Sequence, residues 1–120
     1  MNLVVAGNKV KVQLDPSERF WAFHLSGQIE LPLDSIQDVR LVRPETEWNE
    51  LRAPGTYVPG LIKAGTYYTT KGREFWYVPK NQDTNQSCLC VDVSEGYYKR
   101  IVLGSVMARQ WQSQIQAATV

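Results

Sequence analysis

The chain has 120 residues, about one domain's worth, which leaves no room for a catalytic unit beside a separate regulatory one. Hydrophobic residues make up 43% and charged residues 21%, and this excludes a disordered, collagen-like or disulfide-dense polymer. Thirteen Lys and Arg against twelve Asp and Glu leave a formal charge of +1, too little to hold a nucleic-acid backbone or an anionic bilayer by field alone.

No run approaches the roughly 18 consecutive apolar residues of a membrane helix, and residues 1–7 are too short for a signal peptide, so a cytoplasmic protein is expected. Residues 9–14 alternate polar and apolar and predict a half-buried strand. Asp15-Pro16-Ser17-Glu18 then predicts a helix start: a capping side chain, proline at the first helical position and glutamate three residues after the cap. The helix runs over 16–25, with Trp21 and Leu25 on one side and Phe20 and Phe23 nearby, and Gly27 is suited to the left-handed conformation that stops it. Phe20-Trp21-Ala22-Phe23 also suits a strand, which is the competing reading.

Residues 28–32 and 36–42 predict two strands joined by Leu33-Asp34-Ser35 as an antiparallel pair. Residues 43–60, with three prolines, two glycines and acidic residues around Trp48, predict a long loop, and such loops are often functional. Residues 61–69 and 73–78 predict a hairpin turning through Thr70-Lys71-Gly72. In its second arm Phe75, Trp76 and Tyr77 are consecutive, so one ring faces opposite to the other two and at least one is expected to be partly exposed. A polar loop over 80–86, a strand over 87–93, a turn at Ser94-Glu95-Gly96 and a strand over 98–103 bring the expected total to seven strands. Gly104-Ser105 opens a C-terminal helix with Met107, Trp111, Ile115 and Ala118 on its core side and Arg109, Gln112 and Gln116 on its solvated side. No repeat, low-complexity tract or linker divides residues 1–120, so one domain is expected.

Cys88 and Cys90 lie one residue apart in an apolar run, where a strand points both to the same face and a bridge between them would be strained. They are expected to be reduced thiols packed as small hydrophobes, without a metal, because the only histidine is His24 and zinc takes four N or S ligands. No cofactor motif is present.

The order of strands followed by a C-terminal helix resembles the pleckstrin-homology-like (PH-like) superfold, a mostly β sandwich or barrel of about seven antiparallel strands with a helix packed on the sheets. Residues 29–39 (IELPLDSIQDV), the Arg52-Ala53-Pro54-Gly55-Thr56-Tyr57-Val58-Pro59-Gly60 segment and Gly72-Arg73-Glu74-Phe75 resemble bacterial PH-like proteins of unknown function. Relative to that plan, the helix after the first strand is an insertion. The resemblance implies a binding or scaffold module, since PH-like folds rarely catalyse, and it supplies no ligand.

A non-catalytic module for protein partners or self-association is therefore the leading expectation, because the related phosphotyrosine-binding fold accepts an added peptide strand. Its expected partner-binding residues are Arg52 and Tyr57 of the Pro-Gly segment and Arg73 and Trp76 of the hairpin. In the competing reading the segment caps the fold, with Tyr57 in the core and Arg52 paired to an acid such as Glu50. A lipid or phosphate binder is the alternative, but Asp15-Pro16-Ser17-Glu18-Arg19, where eukaryotic PH domains place a basic cluster, is net acidic. An enzyme is disfavoured because no nucleophile elbow or phosphate loop is present, His24 reads as structural, and Glu45, Glu47 and Glu50 read as a solvated face. Nucleic-acid binding would require Lys63, Lys71, Arg73 and Lys80 to converge with an exposed aromatic.

Overall fold

The computed structural model describes residues 1–22, 27–44, 51–58, 62–70, 72–79 and 87–119, the side chains of residues 20–22 and 51–58 excepted. The chain opens with β1 (Asn2–Ala6) and β2 (Lys9–Gln13), followed by α1 (Pro16–Ala22) and β3 (Gln28–Pro32). A short 3-10 turn (Leu33–Ser35) leads to β4 (Ile36–Leu41), β5 (Leu51–Val58), β6 (Ile62–Thr69), β7 (Gly72–Pro79), β8 (Cys88–Val93), β9 (Arg100–Gly104) and α2 (Ala108–Thr119).

Two open sheets result, one ordered β1-β2-β3 and the other β4-β8-β9-β7-β6-β5. In the small sheet Leu3, Val10, Val12, Ile29 and Leu31 point inward, while Lys9 and Lys11 sit outside with Glu30, at 3.5 and 3.9 Å. That alternation is the pattern of an antiparallel sheet with one wet face. The inward residues join Phe75, Leu89, Val91, Ile101 and Leu103 of the large sheet and Ala108, Trp111 and Ile115 of α2 in one apolar cluster. The C-terminal helix is thus packed on the sheets, as expected.

The start of α1 follows half of its sequence signal: the Asp15 carboxylate, expected to cap the helix, instead holds the Met1 ammonium at 3.0 Å, while Glu18 reaches back as expected. The Asp15 backbone N–H donates to Glu18 Oε1 at 2.8 Å, and the Arg19 N–H reaches the Asp15 carbonyl at 2.9 Å. Gly27 takes φ +69°, a conformation that side-chain-bearing residues rarely adopt, and the flexible Arg19 side chain lies over the place a Cβ would take, so it is the backbone angle that selects glycine. Phe23, His24 and Leu25 lie outside the described residues.

Several expectations are corrected. Nine strands, not seven, stand among the described residues, and they form open sheets rather than a barrel. The helix follows the second strand, because residues 2–6 pair with β2 across a two-residue turn in which Gly7 has φ +63°. The uninterrupted Leu3-Val4-Val5 run hid this strand from an alternation pattern. β3 and β4 do not pair with each other; the 3-10 turn carries the chain from one sheet to the other, where β4 pairs with β8. The segment 43–60 is not all loop, since β5 occupies its second half at the edge of the large sheet. The ladder shifts register between Arg52 and Gly55, around Pro54, which has no N–H to give it. The strands are not all antiparallel, because β7 and β9 run parallel, with Trp76 opposite Val102. Phe75, Trp76 and Tyr77 are all buried, at 0, 1 and 8% exposure, because both faces of the central strands are covered. In α2 the helix begins at Ala108, Met107 and Ala118 are exposed, and Gln112 donates to the Val39 carbonyl at 3.2 Å.

Candidate functional site

The second face of the large sheet carries Tyr67, Trp76, Val78, Cys88, Cys90 and Val102 as a separate apolar cluster. Charged side chains are set among them. Because strand side chains alternate, the register rows place Glu74 opposite Arg100, Arg100 opposite Asp92, and Arg40 opposite Cys90 on this face. Arg100 Nε donates to Asp92 Oδ1 and Arg40 Nη2 to Asp92 Oδ2, both at 2.8 Å, so one carboxylate holds two guanidinium groups. Glu74, 2% exposed, accepts from Trp76 Nε1 at 2.9 Å and from Thr69 Oγ1 at 3.0 Å, and lies 3.6 Å from Arg100 Nη1. Burial works to lower the Arg100 pKa, but the Asp92 hydrogen bond and the surrounding negative groups outweigh it and leave it raised. The same burial pushes the Cys90 thiol up to about 11, so the neighbouring Arg40 and Arg100 do not make it a nucleophile.

The network opens at one end into a cleft of about 590 Å³ between β4, the end of β8 and the start of β9. Gln37, Asp38, Arg40, Asp92, Lys99 and Arg100 supply its polar lining.

A second feature lies at the end of the β6–β7 hairpin on the opposite face. The Arg73 guanidinium carbon sits 3.9 Å from the Tyr97 ring centroid and 5.5 Å from that of Tyr68, and Nη1 donates to the Tyr97 carbonyl at 3.0 Å. Tyr97 is 65% and Tyr68 39% exposed, yet the stack is rooted in the core: Tyr97 meets Tyr98 edge-on at 4.8 Å, Tyr98 meets Phe75 at 5.6 Å, and the Tyr98 hydroxyl bonds Thr66 Oγ1 at 3.1 Å. Arg73 has no carboxylate partner among the described residues, and its Nε is shielded from solvent without an acceptor.

Of the four sequence-predicted site residues, Arg73 and Trp76 stand on opposite faces of β7. Arg73 belongs to the exposed stack. Trp76 is a core residue, its ring 3.8 Å from the buried Lys63 ammonium and 5.6 Å from the Arg43 guanidinium, and it is removed from the candidate surface. Arg52 and Tyr57 have their backbones in β5, in register with Tyr67 and Lys63, and their side chains lie outside the described residues, as do Glu45, Glu47 and Glu50. Lys63 and Arg73 take opposite faces of the hairpin, so the cations of a nucleic-acid surface do not converge there, and Lys71 and Lys80 lie outside the described residues. Sequence reasoning missed Tyr97, Tyr68, Arg40, Asp92 and Lys99; Tyr97-Tyr98 beside a Ser-Glu-Gly turn was the one available signal.

Strand addition is opposed at one sheet edge. On β4 the outward N–H of Val39 is taken by Asp38 Oδ1 at 2.9 Å and its carbonyl by Gln112, so side chains block the middle of that edge. Among the described residues no helix is long and apolar enough to cross a membrane. Neither protein-family models, curated proteins nor solved structures give a match to this chain.

Proposed function

We propose that the chain is a non-catalytic, PH-like binding module whose ligand is a protein, either another chain or a second copy of itself, in the cytoplasm. The observation that carries the reading is the exposed Tyr68–Arg73–Tyr97 stack. Tyrosine and arginine are the residue types enriched at protein interfaces, and here stacking fixes them before any partner arrives. A pre-ordered arginine loses less side-chain entropy on binding than a free one. The PH-like assignment is supported by two β-sheets closed on a shared core by a C-terminal helix; the parallel β7–β9 pair and the two extra strands are departures from the plain superfold.

The test is affinity capture from the native host with Arg73→Ala and Tyr97→Ala beside the wild type, together with sedimentation of the purified protein. A partner, or a concentration-dependent dimer, should be lost in both variants while the melting temperature stays within a few degrees. The reading fails if both variants keep every wild-type partner, or if both melt early, which would make the stack a structural brace.

A further inference from the structure

We propose that the cleft between β4, the end of β8 and the start of β9 binds the oxyanion group, carboxylate or phosphate, of a small molecule. This goes beyond the protein-binding reading and does not rest on it, since the cleft and the tyrosine stack lie on opposite faces of the large sheet. Its volume of about 590 Å³ falls in the ~300–1,000 Å³ range of small-molecule sites.

The chemistry is in how Asp92 uses its two oxygens. Each accepts one N–H, from Arg100 Nε and from Arg40 Nη2, which fixes two guanidinium planes around one carboxylate. A guanidinium carries five N–H bonds, so this pairing orients both groups without exhausting them. The remaining contacts of Arg40 are an ion pair with Asp38 Oδ2, 3.2 Å from a buried Nε that makes no hydrogen bond, and the Cys90 sulfur at 3.6 Å from Nη2. Arg100 reaches Glu74 through Nη1 at 3.6 Å. Arg40 Nη1 and Arg100 Nη2 thus have no acceptor among the described residues. At the rim the exposed Lys99 ammonium gives one proton to the Ser94 carbonyl at 3.0 Å and keeps two.

Charge decides the ligand's sign and limits its affinity. The lining holds three cations, Arg40, Lys99 and Arg100, against two carboxylates, Asp38 and Asp92, for a local +1. Two arginines held side by side with unused donors attract an anion, and planar forks match the oxygens of a carboxylate or phosphate. Glu74 behind Arg100 offsets part of the field, so the expected ligand group carries one or two negative charges and binds weakly through this group alone.

The experiment follows the arginine Nε–H signals of Arg40 and Arg100 by NMR while inorganic phosphate, or in a second arm acetate, is added at constant ionic strength made up with chloride. Saturable shifts confined to these arginines, with a Kd on the order of 1–10 mM, are expected in one arm or both, and the tighter arm identifies the ligand group. Arg40→Gln should weaken binding at least about tenfold, the loss of a charge-assisted hydrogen bond. Lys99→Ala, an exposed change that leaves the network whole, should weaken it about threefold. Tyr97→Ala should leave it unchanged, so that failure here and failure of the protein-binding reading are separate results. Shifts that remain linear in both arms, or that persist with the same Kd in Lys99→Ala and in a folded Arg40→Gln, overturn the proposal.

Discussion

The two faces of the large sheet solve the same burial problem with different residues. Toward the small sheet, Phe75, Leu89, Val91, Ile101 and Leu103 meet Trp111 and Ile115 in an apolar layer. Away from it, Trp76, Cys90 and Val102 share the strands with Lys63, Glu74 and Arg100, all under 8% exposed. The first face is stabilised by area removed from water and tolerates exchange among residues of similar volume. The second holds charges where desolvation is expensive, so its pairs must meet in one geometry or be left uncompensated. The Glu74–Arg100–Asp92 row crosses three neighbouring strands, including the parallel β7–β9 contact, and a slip of β9 by one residue would send Arg100 into the apolar layer. Bulk stability thus resides in one face and strand register in the other.

The largest expected effect tests the apolar face. Trp111→Ala should cost about 4 kcal/mol, since truncating a buried tryptophan leaves a cavity, and denaturant unfolding should show it. Wild-type stability in that variant would mean that α2 does not close the core.

Breaking the charged face should cost slightly less. Arg100→Ala leaves Glu74 and Asp92 without their shared cation and should lose about 3 kcal/mol. A triple variant, Arg100→Leu with Glu74→Leu and Asp92→Leu, should regain part of that loss, because an apolar replacement of a buried ion network is often neutral. If the triple variant is worse than Arg100→Ala, the network contributes more than register.

An alkaline titration separates the faces by chemistry. Burial raises the Cys90 pKa from 9.0 to about 11, and a group raised on folding gives stability that is whole below its unfolded pKa and lost as pH rises through the folded one. Two units at about 1.4 kcal/mol each predict a loss on the order of 2–3 kcal/mol between about pH 9 and 11. Cys90→Ala should flatten the stability curve in that window, leaving the slope from Tyr98 and Tyr77, whose pKa values burial also raises. An unchanged slope would mean that the thiol is solvated.

The smallest effect is expected outside both layers. Tyr97→Ala should change stability by less than about 1 kcal/mol, as an exposed ring stacked on an arginine does, while partner capture is lost.

The amino-acid order by itself determined the local features. Asp15 to Glu18 contains its own capping partner, residues 62–79 contain both arms of a hairpin and its glycine, and the Trp111–Ile115 spacing defines a helix face. These depend on groups within a few residues of one another. Tertiary structure decided what depends on distant partners: that β3 and β4 part into different sheets, that β9 enters between β7 and β8, and that Trp76 is covered. Alternating residues state which side of a strand is apolar but not which strand lies beside it. Asp92, Arg100, Glu74 and Arg40 are ordinary strand charges in the sequence and become a network only when β4, β8, β9 and β7 stand in that order, because the desolvation that orients them is a property of the assembled sheet.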